Sequence, residues 1–169
     1  MTDMNETLNQ WLRDAHAMEE QAEQMLKTQA SRIESYPELA SRIRQHLEET
    51  RSQRERLESC IERRGASSSS MKDMAARMSA MMQGMGAMMS GDEVMKGLLT
   101  SYAFEHFEVA SYRILISAAE AVGDAETARV CEAICREEEA MASWLADHIP
   151  GVTQTYLSRE SADLDEAKR

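Results

Sequence analysis

Apolar residues recur along this chain at alternating intervals of three and four, the spacing that lines one face of an α-helix. Leu8, Leu12, Ala15, Ala22 and Leu26 form one stripe, and Leu39, Ile43, Leu57 and Cys60 a second. Leu98, Tyr102, Val109, Tyr112 and Ile116 form a third, and Cys131, Ile134, Met141 and Leu145 a fourth. Punctuation falls between the stripes. Thr2 or Asp3 caps a first helix that reads to about Glu34, where Ser35-Tyr36-Pro37 ends it. Pro37 suits the first turn of a second helix, which reads to Arg64, with Gly65 as its C-terminal cap before Ala66 and four serines. A shorter helix covers 71–89 and is broken at Ser90-Gly91-Asp92. The third long helix spans 93–121, with Gly123 as its stop and Asp124 as the next cap; the fourth spans 125–148 and is closed by Pro150-Gly151.

These lengths predict one all-α domain over 1–150 and a polar C-terminal tail over 151–169. Helices 1 and 2, and helices 3 and 4, are joined by short links and so read as antiparallel hairpins. The long connection between helices 2 and 3 lets the chain travel the length of the bundle, which is the ferritin-like arrangement of four helices, with one extra helix in the crossover. An up-down-up-down bundle with a decorated loop satisfies the same spacing.

Composition narrows the function. The chain has 169 residues, suited to one core, and only 7 Gly and 2 Pro, as an all-helical protein requires. Its net charge of −11 with 5% aromatic residues argues against nucleic acid and against an anionic membrane surface as partners. No apolar run approaches the ~20 residues that span a bilayer. The acidic start MTDMNETLNQW is unlike a signal peptide, and three cysteines (Cys60, Cys131, Cys135) are an odd count, so the expected compartment is the reducing cytoplasm, with the thiols as small core residues.

Each stripe is interrupted near its middle by an ionisable residue. Helix 1 carries Glu19; helix 2 carries His46, with Glu49 on its flank; helix 3 carries Glu105 and, one turn on, Glu108; helix 4 carries Glu138. In an antiparallel bundle these midpoints meet at one level. Burying a lone carboxylate costs several kcal/mol, so such a layer must share protons, pair with cations or surround metal. The arginines read as lying on outer faces, which leaves His46 as the seam-facing partner. Two divalent ions would neutralise about four carboxylates at once.

At these residues a family resemblance is visible. Leu12-Arg-Asp-Ala-His-Ala-Met-Glu-Glu-Gln21, His46-Leu-Glu-Glu-Thr50, Glu105-His-Phe-Glu-Val-Ala-Ser-Tyr112 and Arg136-Glu-Glu-Glu139 resemble the YciE/YciF-type stress proteins of the ferritin-like superfamily. The resemblance runs through about residues 5–148. It implies a helical bundle, a homodimer and a dinuclear metal site formed by Glu19, His46, Glu49, Glu105, Glu108 and Glu138. Glu49 and Glu138 would then bridge two ions, Glu19 and Glu105 would be terminal ligands, and His46 the nitrogen donor. Helix 2 departs from the usual Glu-x-x-His order of di-iron bundles by reading His46-x-x-Glu49, helix 4 reads Glu138-x-x-Met141, and Ala142 stands where the family often has an acid. So carboxylate-rich a site favours iron, with manganese or zinc as alternatives, and would support Fe(II) oxidation by O2 or peroxide. His16 is expected at the surface and His106 outside the ligand set. Tyr102 and Tyr112 share a seam with Glu105 and are expected to pack there, with hydrogen bonding or electron donation as the alternative.

Eight of the 14 methionines lie in 71–89, and Met71, Met74, Met78, Met81, Met85 and Met88 keep helical phase. That stripe is expected to lie over the bundle, filling irregular gaps, with a partner-binding face as the alternative. The competing function is therefore a non-catalytic helical interaction module in which the acidic layer only specifies packing.

Overall fold

A computed structural model of the protein describes residues 3–66, 93–162 and 167. These form four helices: α1 (Met4–Arg32), α2 (Pro37–Arg63), α3 (Glu93–Ala121) and α4 (Ala125–Ser161). The expected short helix over 71–89, with its methionine face, lies outside the described residues. Asp3 caps α1 by accepting from the Asn5 amide at 3.1 Å, and Pro37 opens α2. Gly65 and Gly123 both take the left-handed conformation, φ 68° and 76°, that ends a helix at low cost to glycine alone. Asp124 caps α4 through the Thr127 amide and also binds Arg63 and Arg64, which pins α2 to the start of α4.

Side-chain pairs fix the topology. Gln29 meets Gly97 and Ser101, and Glu19 meets Tyr112, so α1 and α3 run antiparallel. Arg63 meets Asp124, Gln53 meets Glu137 and Glu138, and Glu38 meets His148, so α2 and α4 are antiparallel too. Since α2 also opposes α1, α2 and α3 point the same way and sit diagonally. The end of α2 and the start of α3 therefore lie at opposite ends of the bundle, as in the ferritin-like connectivity and not in up-down-up-down.

Buried apolar residues form two clusters. One, around Leu8, Leu12, Leu57, Ile61, Leu115 and Ile134, fills the end where α1 begins. The other, around Leu26, Leu39, Ile43, Leu98, Met141 and Leu145, fills the opposite end. The ionisable residues of the four stripes lie between them.

Four expectations are corrected. The fourth helix does not stop at Pro150 but continues to Ser161. Proline removes one backbone donor and would ordinarily end the helix. Here the continuation is held by packing of Ile149, Val152 and Tyr156 on the second cluster, and by Arg159, which lies 4.7 Å over the Tyr36 ring and donates to the Ser35 carbonyl at 2.8 Å. His16 is not at the surface: it is 3% exposed, and burial pushes its pKa down so that the ring stays neutral despite Glu20 and Glu58 nearby. Nor are all arginines outward, since Arg13 is buried and held by Glu6 and Gln10. On α3, Phe104, Leu115 and Ala119 are buried, whereas Tyr102 and Ile116 are only half-buried, because that helix is apolar on more than one face.

Candidate metal centre

One ligand atom from each of His46, Glu105, Glu108 and Glu138 falls within 4.8 Å of the others. The four come from three helices and expose 1% or less of their surface. The two apolar clusters at either end of the bundle place them at mid-height. Nε2 of His46 stands 3.2 Å from Oε2 of Glu105 and 3.2 Å from Oε2 of Glu138. Both contacts are ion pairs to a single ring nitrogen, and neither oxygen has a further hydrogen-bond partner.

The ring is set from behind. Nδ1 of His46 is 2.8 Å from Oε2 of Glu49, which also accepts from Arg42 at 3.2 Å, while Gln45 donates to the other oxygen at 2.9 Å. Glu49 thus lies outside the group of four. It sits on the far side of the imidazole and fixes which nitrogen faces the layer, as carboxylates behind histidine ligands commonly do. Arg42, read as outward, is the cation that steadies it; with His46 it outweighs burial and draws the Glu49 carboxyl down to about 2.

Glu19 adjoins the four. It is fully buried, accepts the Tyr112 hydroxyl through Oε1 and leaves Oε2 without a donor. Glu138 accepts from Gln53, whose Nε2 also reaches Glu137 at 3.0 Å. Gln53 was visible on the α2 stripe, three residues past Thr50, but nothing in the sequence showed that an amide there would hold a glutamate in place. Tyr102 and His106 do not join the layer; their rings meet edge to face at 4.7 Å on the outside of α3. Cys60, Cys131 and Cys135 are buried free thiols, and burial pushes Cys131 up to about 12.

The electrostatics follow from crowding. Burial raises Glu19 and Glu108 well above the usual carboxylate range, and Glu138 and Glu105 add to it. Burial likewise lifts Glu105 to about 8 against the opposing pull of His46. Burial alone would lower His46, but Glu105, Glu138 and Glu49 together hold it well above its ordinary value. Burial and Glu19 raise the Tyr112 phenol in turn. Burial and mutual repulsion thus favour the protonated forms of Glu19, Glu105 and Glu108.

An antiparallel bundle with a diagonal crossover and a buried layer of one histidine and four glutamates is a ferritin-like fold. The chain belongs to the family described as domain of unknown function (DUF892), which it matches over residues 3–158. Solved structures share the architecture. A protein from Xanthomonas campestris pv. campestris is 42% identical, covers 94% of this chain and 99% of its own, and superposes with a TM-score of 0.80. YcfI of Rhodopseudomonas palustris is 25% identical over 86% of this chain and 94% of its own, with a TM-score of 0.71. The E. coli stress protein YciF is 24% identical over 88% of this chain and 96% of its own, with a TM-score of 0.74. No helix among the described residues is long and apolar enough to cross a membrane.

Proposed function

We propose that this chain is a stress-related ferritin-like protein whose mid-bundle layer holds two divalent metal ions, iron first, with manganese or zinc as alternatives. The observation that supports this most directly is the set of orphaned oxygens. Oε2 of Glu19, Oε2 of Glu105, Oε1 of Glu108 and Oε2 of Glu138 are all buried without a directed hydrogen bond, those of Glu105 and Glu138 having ion-pair contacts with the one His46 nitrogen at 3.2 Å. Buried acceptors are rarely left so, and four in one layer fit an arrangement meant to face cations. The charge agrees: four buried carboxylates carry −4, which two dications cancel, with no residual ion left in the low-dielectric interior. The link to stress comes from the likeness to YciF, which carries that description.

Each residue then has a task. His46 presents Nε2 inward because Glu49 occupies Nδ1. Glu105 and Glu108, one turn apart on α3, present carboxylates from one side. Glu138 faces them from α4, held by Gln53, and Glu19 completes the layer from α1, held by Tyr112. The two apolar clusters exclude water above and below. Bound iron would supply Fe(II) oxidation by O2 or peroxide.

The test is metal content per chain after anaerobic Fe(II) loading and exposure to oxygen, measured by elemental analysis with an optical spectrum, on wild type and Glu105→Ala. About two irons per wild-type chain, and near-complete loss in Glu105→Ala, are expected. Equal metal in both proteins sinks the assignment.

A further inference from the structure

The residues of the layer are shut off from solvent, so a cation must pass between two neighbouring helices to reach them, and the four interhelical faces differ. Between α1 and α3 lies a cavity of about 380 Å3 walled mainly by Trp11, Ala15, Met18, Phe107, Ile114 and Leu115, hydrocarbon and ring surface that offers a dication little in exchange for its water. Between α1 and α2 the buried Glu23 is held by Lys27, Arg51 and Arg54, at 2.6, 3.1 and 2.7 Å, and is electrostatically closed to a further cation. Between α3 and α4 a cavity of about 570 Å3 carries Tyr102, His106, Ser143 and the Arg113–Glu139 pair on its walls, and it is floored by buried Val109 and Ala142.

The α2–α4 face is different. A cavity of about 400 Å3 opens there, lined by Arg42, Glu49, Ala133, Arg136, Glu137 and Ala140. Each of its two carboxylates is one hydrogen-bonded step from the layer. Glu49 touches the outer nitrogen of His46, and Glu137 shares the Gln53 amide with Glu138. Gln53 thus spans from cavity wall to layer, and its own Oε1, with the neighbouring Thr50 Oγ1, is buried and without a partner. Hydrogen-bonded polar side chains therefore lead from rim to layer on this side. By contrast, the α1–α3 cavity is mostly apolar despite Asp14 and Ser111 in its lining, the α1–α2 carboxylate is taken up by cations, and the α3–α4 cavity is floored by buried Val109 and Ala142. The rim carboxylates keep one arginine each: Arg42 holds Glu49 in a mostly buried pair, Arg56 holds Glu137 in a more exposed and so weaker one, and Arg136 stands in the same wall. Alanines at 133 and 140 leave the space open.

We propose that the α2–α4 cavity is the route by which divalent cations reach the buried layer, with Glu49 and Glu137 as the paired carboxylates that receive them at its mouth. The inference rests on the metal-centre reading and adds to it a path and two residues outside the ligand set.

Stopped-flow uptake of Co(II) by the metal-free full chain, followed by the cobalt absorption, tests it. Ala140→Leu, which fills the cavity, and Glu137→Gln, which removes a receiving charge, are each expected to slow uptake at least tenfold while leaving the final cobalt per chain unchanged. Ser111→Leu, which fills the apolar α1–α3 cavity instead, is expected to keep the wild-type rate. Ala133→Leu replaces Ala140→Leu if circular dichroism shows the latter misfolded. Rates within twofold of wild type in the α2–α4 variants, or slowing confined to Ser111→Leu, overturn the route. A wild-type protein that takes up no cobalt overturns the metal centre itself.

Discussion

Tyr112 on α3 donates its hydroxyl to Oε1 of Glu19 on α1, and both side chains are fully buried. The bond ties two neighbouring helices together at the level of the acidic layer, and it is the one donor that Glu19 has, since its other oxygen has none. Tyr112→Phe keeps the ring and removes the donor, leaving a buried acid wholly unpartnered. A loss of about 1–3 kcal/mol in the metal-free protein is expected, read from urea unfolding with an unchanged slope. An unaltered midpoint would mean that Glu19 finds another donor.

That the layer exists was legible in the sequence, because helix punctuation set the midpoints and an antiparallel bundle brings midpoints together. The details depended on matters that a stripe does not encode. Glu49 lies one turn after His46, which places it beside the imidazole; which nitrogen it takes is decided by the ring rotamer and by Arg42. His16 follows Ala15 on the stripe and reads as a flank, yet α2 covers that flank. Pro150 reads as a stop by local propensity, and tertiary packing of the residues beyond it overrides that cost. Gln53 lies on the inward side of α2, and its meaning comes only from Glu137 and Glu138 across the α2–α4 face.

Metal binding should appear as stability. A ligand that binds only the folded chain stabilises it by about 2.7 kcal/mol at a hundred times its dissociation constant. Wild-type protein loaded anaerobically with Fe(II) is expected to melt several degrees above the chelator-treated protein. Glu105→Gln, which keeps the shape of the side chain and removes a charge, is expected to lose most of that gain. A chelator-independent melting curve in wild type would contradict the proposed centre, independently of any turnover.

The metal-free protein should also respond to pH in the reverse of the usual sense. Glu105 is lifted to about 8 from an ordinary value near 4.5, and Glu19 and Glu108 move the same way. Between those values the folded chain binds more protons than the unfolded chain, so stability falls as pH rises. His46, held above its ordinary value, contributes stability below that value that is lost as pH climbs through its folded one, adding in the same direction. Glu49 opposes them in acid, since its stabilisation is lost as pH falls from about 4.5 toward 2. His16, pushed below its ordinary 6.5, opposes them as one group against four when pH falls below that value. The urea midpoint of chelated protein is therefore expected to be higher at pH 5 than at pH 8, and metal loading should flatten the trend by replacing protons with dications. A midpoint that rises from pH 5 to pH 8 without metal would mean that the buried acids are not held protonated.

The last turns of α4 depend on one arginine more than on their own helical propensity. Pro150 interrupts the backbone ladder, and Val152 and Tyr156 supply only partial burial beyond it. Arg159 then closes the segment onto the α1–α2 turn through the Ser35 carbonyl and the face of Tyr36, whose hydroxyl in turn donates to the Ala167 carbonyl at 2.6 Å. Removing that side chain leaves the helix beyond proline with few long-range ties, while the acidic layer more than two turns before Pro150 keeps all of its own. Arg159→Ala is therefore expected to cost about 1–2 kcal/mol and to speed amide exchange in 152–161, with exchange around Glu105 and Glu138 unchanged and metal content equal to wild type. Protection in 152–161 that survives the substitution would show that packing alone carries the helix past Pro150.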